Sequence, residues 1–241
     1  MNALELRDVR HGFRGGVAVD GLSLTVAPGE VVALIGLNGA GKTTAMRVLA
    51  GRLRPQAGQA RVLGVPSWRL PATVAARFGQ LIDAPLLYAE LTVRENLTAA
   101  ARLHGLKAAA ARRACAAAVE RFTLSPWADA RTRTLSSGNR MRLGIAATLA
   151  HEPAAVILDE PTNALDPSGM VVLRDAISDL AAQGAGVLVS SHHLDEVSRI
   201  ADRIVAVHDG RVVGQLEPGT PNLERQFFDL VLAVDRQGST P

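Results

Sequence analysis

Apolar and polar side chains alternate over residues 3–9 and again over 21–26, the period-two pattern of half-buried strands. Gly12, Gly15 and Gly16 lie between the two runs and predict a hairpin. The alternation gives way at Val31–Ile35 to an unbroken apolar run, which reads as a buried strand. A helical pattern then extends from Thr43 to Leu53 and stops before Pro55; a glycine-containing turn and a short strand around Ala60–Leu63 follow. From Asp83 to Ala150 the pattern stays helical. Thr92-Val-Arg-Glu95 is a capping box that opens one helix, and Gly105 is placed to close it. Lys107–Phe122 is a second helix, almost continuous alanine, with Arg112, Arg113 and Arg121 marking a solvated face. Ser125-Pro126-Trp127 breaks it, and residues 139–150 form a third with Met141, Leu143, Ile145, Ala146 and Leu149 on its apolar side. Strands return at Ala154–Leu158, Gly186–Ser190 and Ile204–His208, separated by helical patterns at Gly169–Ala182 and Leu194–Ala201. Strands alternating with helices predict an α/β fold with a mainly parallel sheet and helices on both faces, into which residues 83–150 are inserted as a helical unit.

Composition adds exclusions. A chain of 241 residues with 48% apolar side chains can bury a substantial core. The net charge of +3 is scattered, with no basic stripe interleaved with aromatics, so nucleic acid is not an expected partner. The single cysteine, Cys115, sits in the alanine-rich helix and reads as a small buried hydrophobe. No signal-like N-terminus and no long uncharged apolar run is seen, so direct membrane insertion is not expected.

The chemistry concentrates after Ile35. Gly36-Leu37-Asn38-Gly39-Ala40-Gly41-Lys42-Thr43-Thr44 links a buried strand to a helix with the spacing G-x-x-x-x-G-K-[ST]. Glycines let the loop curl its backbone N–H groups toward one point at the positive end of the helix, where an anion belongs. Lys42 adds a charge for β/γ-phosphates and the Thr43 hydroxyl can ligate Mg²⁺. An ordinary glycine-rich turn would explain neither Lys42 nor the two threonines. Asp159 and Glu160 end the apolar run Val156-Ile-Leu158, and Ser190-Ser191-His192 ends the next strand. Ligands of parallel sheets sit beyond the carboxyl ends of strands, so these three segments should meet around one phosphate. Asp159 would then hold the metal and Glu160 would activate water. Whether His192 or His193 points inward is not decided by spacing. Leu135-Ser-Ser-Gly-Asn139 reads as a helix cap. Phe13, in the first hairpin, is equally suited to packing or to stacking on a base.

Taken together these segments resemble the ATP-binding subunit of an ABC transporter, over nearly the whole chain. Residues 36–44 match that family's Walker A, Val156–Glu160 its Walker B, and Leu135–Asn139 its signature; Asn163-Ala-Leu-Asp166 resembles the D-loop and Ser190–His192 the switch-histidine loop. The resemblance implies a P-loop NTPase core of the RecA-like kind, preceded by antiparallel strands and carrying an inserted helical subdomain. It implies one ATP-binding domain over 1–241, divided into a core (1–82 and 151–215), the helical subdomain (83–150) and a tail (216–241). It selects His192 over His193, makes Phe13 the adenine-stacking ring, and turns Ser136 and Gly138 from helix cap into contacts with ATP on a second copy, with Asp166 beside them. ATP and Mg²⁺ are the implied cofactors, and the implied partners are a second ATP-binding subunit, identical or not, and a separate transmembrane permease. The implied location is cytoplasmic, peripheral on the inner face of the cell membrane.

Two departures from the family pattern stand out. Ser137 and Asn139 replace a Gly and a Gln in the signature. Asp83, rather than Gln80, falls where a glutamine usually contacts the metal, a feature shared with exporter subunits resembling bacitracin-resistance ATPases; an acid there can join the Mg²⁺ shell. The segment Pro221–Leu230 resembles the ending of drug-exporter ATPases, so the function expected is ATP-driven export of a drug, antibiotic or peptide. The alternatives are a mechanical ATPase of the DNA-repair or translation type, disfavoured by the short helical insertion, and a low-turnover nucleotide-binding regulator.

Overall fold

In the computed structural model, which describes residues 1–238, two sheets carry the fold. The hairpin is formed by β1 (Leu4–Phe13) and β2 (Gly16–Val26), longer than the alternating stretches because the glycines near its tip still pair, Gly12 with Val17 and Phe13 with Gly16. β4 (Ala57–Val62) and β5 (Val65–Pro66) complete an antiparallel sheet in the order β2-β1-β4-β5. The second sheet has six strands: β3 (Val31–Ile35), β6 (Phe78–Leu81), β7 (Ala155–Leu158), β8 (Gly186–Ser191), β9 (Arg203–His208) and β10 (Arg211–Leu216). Their order is β10-β9-β3-β8-β7-β6, parallel except for β10. The edge strands β6 and β10 escape the sequence pattern. Phe78-Gly-Gln-Leu81 has neither alternation nor an apolar run; it becomes a strand by pairing with β7.

Side chains of the parallel strands divide by face with period two. Val32, Leu34, Ile157, Leu188, Val205 and Val207 pack toward the antiparallel sheet and α1 (Lys42–Leu49), whose Met46 and Leu49 are fully buried. Helices alone cover the opposite face. Val156, Leu158, Val187 and Val189 meet α5 (Ser137–Leu149) and α6 (Pro167–Ala182), whereas Ala33, Ile35, Ile204 and Ala206 meet α8 (Leu223–Gly238) through Phe227 and Val231. Between β4 and β6 lies the single turn α2 (Ala72–Ala75).

The inserted helices α3 (Val93–Leu103) and α4 (Ala108–Arg121) share a core with α5 through Val93, Leu97, Cys115 and Val119. The capping box is formed as expected: the Glu95 amide donates to the Thr92 hydroxyl, and Glu95 accepts from the Thr92 amide. Buried Asn96 ties the loop before α3, accepting from the Tyr88 amide and donating to the Thr132 hydroxyl.

Two helices are shorter than their sequence patterns. α1 stops at Leu49 because Gly51 takes φ +72°, and a β-carbon there would lie 2.3 Å from the Ser67 carbonyl oxygen. α7 (Leu194–Val197) is one turn, after which the Asp202 side chain accepts from the Val31 amide and turns the chain into β9.

Candidate functional site

The loop after β3 leaves the sheet between neighbours and closes at Gly41, which caps α1 at φ +100°. A β-carbon at Gly41 would lie 2.3 Å from the Ala18 carbonyl oxygen, and one at Gly36 2.5 Å from that of Val207. Only glycine fits either place, and the first amides of α1, which no helix carbonyl can satisfy, are left facing outward along the axis. Lys42 is buried to 5% exposure, its ammonium donating to the Gly36 carbonyl at 2.7 Å. Around this loop opens a cavity of about 370 Å³ lined by Ala18, Leu37 to Thr44, Glu160, Asn163 and His192.

The ends of β7 and β8 bring the acid groups to the same edge. Asp159 is buried, and the hydroxyl of Ser190 donates to its Oδ1 at 2.6 Å. The same hydroxyl accepts from the Glu160 amide at 2.9 Å, so one fully buried serine sets both acidic residues. Glu160 takes φ +47°, a left-handed conformation that costs a non-glycine residue about 1–3 kcal/mol and persists only where its surroundings impose it. Its carboxylate lies 3.6 Å from the Lys42 ammonium and accepts from His192 Nδ1 at 2.8 Å. A carboxylate only accepts, so Nδ1 is the donor in this contact. His193 stacks obliquely against His192, with ring centres 3.9 Å apart, and does not line the cavity.

A profile described as ABC transporter matches residues 19–163. The Nod factor export ATP-binding protein I of Paraburkholderia xenovorans is 37% identical over 216 residues, 90% of this chain and 71% of that protein. The chain belongs to the ABC transporter family. Daunorubicin resistance ATP-binding protein DrrA3 of Streptomyces coeruleorubidus is 42% identical over 198 residues, 82% of this chain and 63% of that protein. A solved ATP binding subunit of an ABC transporter superposes with a TM-score of 0.87 at 30% identity, covering 95% of this chain and 99% of the other. The fold is that of the ABC ATPases, a P-loop NTPase core with an added antiparallel sheet and a helical insertion.

Not every residue singled out from the sequence of this ABC subunit lies at the cavity. Ser136 caps α5, accepting from the Asn139 amide at 3.2 Å, and Gly138 sits against the Ala164 carbonyl. Neither lines the cavity of its own chain. Asp166 caps α6 by accepting from the Gly169 amide at 2.8 Å, and the Arg142 guanidinium paired with it holds its carboxyl below the usual carboxylate range. Its sequence signal is Asp followed by Pro at the first helical position. Phe13 is 52% exposed at the hairpin tip, edge-on to His11. Asp83 has left-handed φ (+67°) and is gripped by Arg47.

Ser190 and Asn163 also stand at this edge, beyond the residues singled out from the sequence. A hydroxyl closing an otherwise apolar strand is the signal for Ser190; Asn163 opens the segment that resembles the D-loop, and it lines the cavity.

Proposed function

We propose that this chain binds ATP with Mg²⁺, hydrolyses it, and thereby drives export through a separate transmembrane permease. The observation that carries the reading is Glu160, held between the Lys42 ammonium at 3.6 Å and His192 at 2.8 Å, at the mouth of the glycine loop. The loop amides and Lys42 bind and orient the phosphates. Glu160 accepts the proton of the attacking water, and His192 keeps that carboxylate aimed into the cavity where the terminal phosphate would lie.

The oxygens present suit a hard cation: the hydroxyl of Thr43 on the first turn of α1, the Asp159 carboxylate with Oδ2 left over from its bond to Ser190, and the Asp83 carboxylate. When bound, Mg²⁺ neutralises charge on the phosphate oxygens as the terminal bond breaks. The cavity around the glycine loop and the buried Lys42 ammonium at its floor support nucleotide at the loop itself.

Two copies act together in this reading. Ser136 and Gly138, at the tip of α5 and away from their own chain's cavity, close over ATP held by the other copy, Asp166 lies beside the contact, and Phe13 stacks on the adenine. Partner docking is supported by the exposed apolar Leu86 (83%) and Leu103 (75%), which flank a groove of about 230 Å³ between β6, α3 and α5. Among the described residues no helix is long and apolar enough to cross a membrane, so the permease supplies the attachment. The relatives named for Nod factor export and daunorubicin resistance support export as the direction.

The test is nucleotide uptake by the purified chain, followed by the mass of the Glu160→Gln protein with ATP and Mg²⁺. Saturable ATP binding and a dimer retained by Glu160→Gln are expected. No binding at millimolar ATP would overturn the reading.

A further inference from the structure

The carboxylate of Asp83 is fully engaged by arginine. Oδ2 accepts from Arg47 Nε at 3.1 Å, Oδ1 accepts from Arg47 Nη2, and Arg52 Nη1 stands 3.8 Å from Oδ2. Arg52 is itself anchored, donating to Gln80 Oε1 at 3.1 Å and to the Ile82 carbonyl at 3.4 Å. It therefore supports the grip while Arg47 makes it.

The position of Arg47 gives this pair its meaning. Arg47 follows Thr43 by four residues on α1, so the two side chains lie on one face of the helix, a turn apart. On the sheet, Leu81 pairs with Leu158, and the Asp159 amide donates to the Leu81 carbonyl at 2.8 Å, so Asp83 and Asp159 leave adjacent strands at the same edge. Both carboxylates raise the Arg47 pKa, Asp83 through its hydrogen bond first and Asp159 through its charge. One guanidinium thus neighbours the three side chains, Thr43, Asp83 and Asp159, whose oxygens suit a divalent cation.

We propose that Arg47 is the resident counter-ion of Asp83, with which a divalent cation must compete for the carboxylate, and that this competition sets how steeply nucleotide binding depends on that cation. The inference rests on the nucleotide reading above. Each Asp83 oxygen already accepts from Arg47, so a cation coming to this carboxylate competes with those bonds and meets the guanidinium charge. The exchange is accessible because the two side chains are 37% and 42% exposed, where a guanidinium can be released to water at little cost. Arg47 acts through Asp83 and through repulsion of the incoming cation, so it is a positioning residue.

The experiment measures ATP binding by titration calorimetry at Mg²⁺ concentrations from chelated to millimolar, in the native protein, Arg47→Gln, Asp83→Asn and the double variant. Arg47→Gln should lower the Mg²⁺ concentration at half-maximal binding by about fivefold, the effect of one partly exposed charge. Asp83→Asn should raise it, and adding Arg47→Gln to Asp83→Asn should produce less than half the shift seen in the native background. Arg47→Lys keeps the charge but loses the two-point contact, so its midpoint should fall between those of the native protein and Arg47→Gln, and it serves if Arg47→Gln does not fold.

A strut that merely joins α1 to the helical insertion would lower the melting temperature of these variants and leave the midpoint in place. That result, or the same shift from Arg47→Gln in both backgrounds, would overturn the inference. An unmoved midpoint in Asp83→Asn would do so as well. Failure of the native protein to bind ATP at any Mg²⁺ concentration would instead sink the underlying reading, and the two failures are separate.

Discussion

Glu160 and His192 face each other across the ends of β7 and β8, Oε2 accepting from Nδ1 at 2.8 Å. Their contact needs the two strands to be in register. Glu160→Gln keeps the shape and removes the carboxylate. Turnover should fall by at least about 10²-fold, the lower end for loss of a positioned general base, with ATP affinity preserved. His192→Ala should cost turnover while leaving binding within a few-fold. Single-turnover hydrolysis beside equilibrium binding checks both, and native turnover in Glu160→Gln would remove it from the role of base.

Ser190 joins Asp159 to the Glu160 amide through one hydroxyl with no exposed surface. In Ser190→Ala a part-buried amide and a buried carboxylate oxygen lose their partner, the latter worth about 1–3 kcal/mol and the former less. A melting temperature lower by several degrees is expected, on the scale of about 2–4 °C per kcal/mol for a chain of this size. The left-handed backbone of Glu160 loses the bond that holds it, so turnover should drop by a larger factor than nucleotide affinity.

Glycines of the loop are not equivalent. A β-carbon at Gly41 would strike the Ala18 carbonyl, whereas at Gly39 it meets nothing within 4 Å, although both have positive φ. Gly39→Ala carries only the left-handed cost, about 1–2 kcal/mol, but Gly41→Ala must also push strand and helix apart. ATP affinity should therefore fall at least about tenfold further in Gly41→Ala than in Gly39→Ala. Equal losses in a binding titration would contradict the packing described for this turn.

Away from the site, the rings of His104 and His151 stack in parallel with centres 3.6 Å apart, at the junction of α3 with the chain after α5. Burial, then repulsion from His104, lowers the His151 pKa to about 4, with the Phe78 backbone opposing. An unfolded histidine titrates near pH 6.5, so below that pH the unfolded state takes a proton the folded state refuses. Stability should be fully present above about pH 6.5 and fall by about 3 kcal/mol as pH drops toward 4. His104, also lowered by burial, adds in the same direction. Urea unfolding at pH 7.5 and 4.5 should show this slope reduced in His151→Leu; an unchanged slope would exclude His151 as its source.

Local rules carry much of this protein. The spacing of Gly36, Gly41 and Lys42, the capping box at Thr92 and the apolar runs of β3, β7 and β8 are each written in adjacent residues, because backbone conformation and periodicity are short-range properties. That is why the parallel sheet, the helical insertion and the loop with Asp159, Glu160 and His192 are legible in the order of residues alone. What the sequence does not display is the set of contacts between distant residues. Ser190 reaching Glu160, Arg47 seizing Asp83, and Arg142 pairing with Asp166 depend on which strand ends and helices the core brings together. Edge strand β6 likewise exists only through its neighbour, since hydrogen bonds across a sheet are made by chains far apart in sequence. Motif chemistry is local, and tertiary packing decides which charges answer one another.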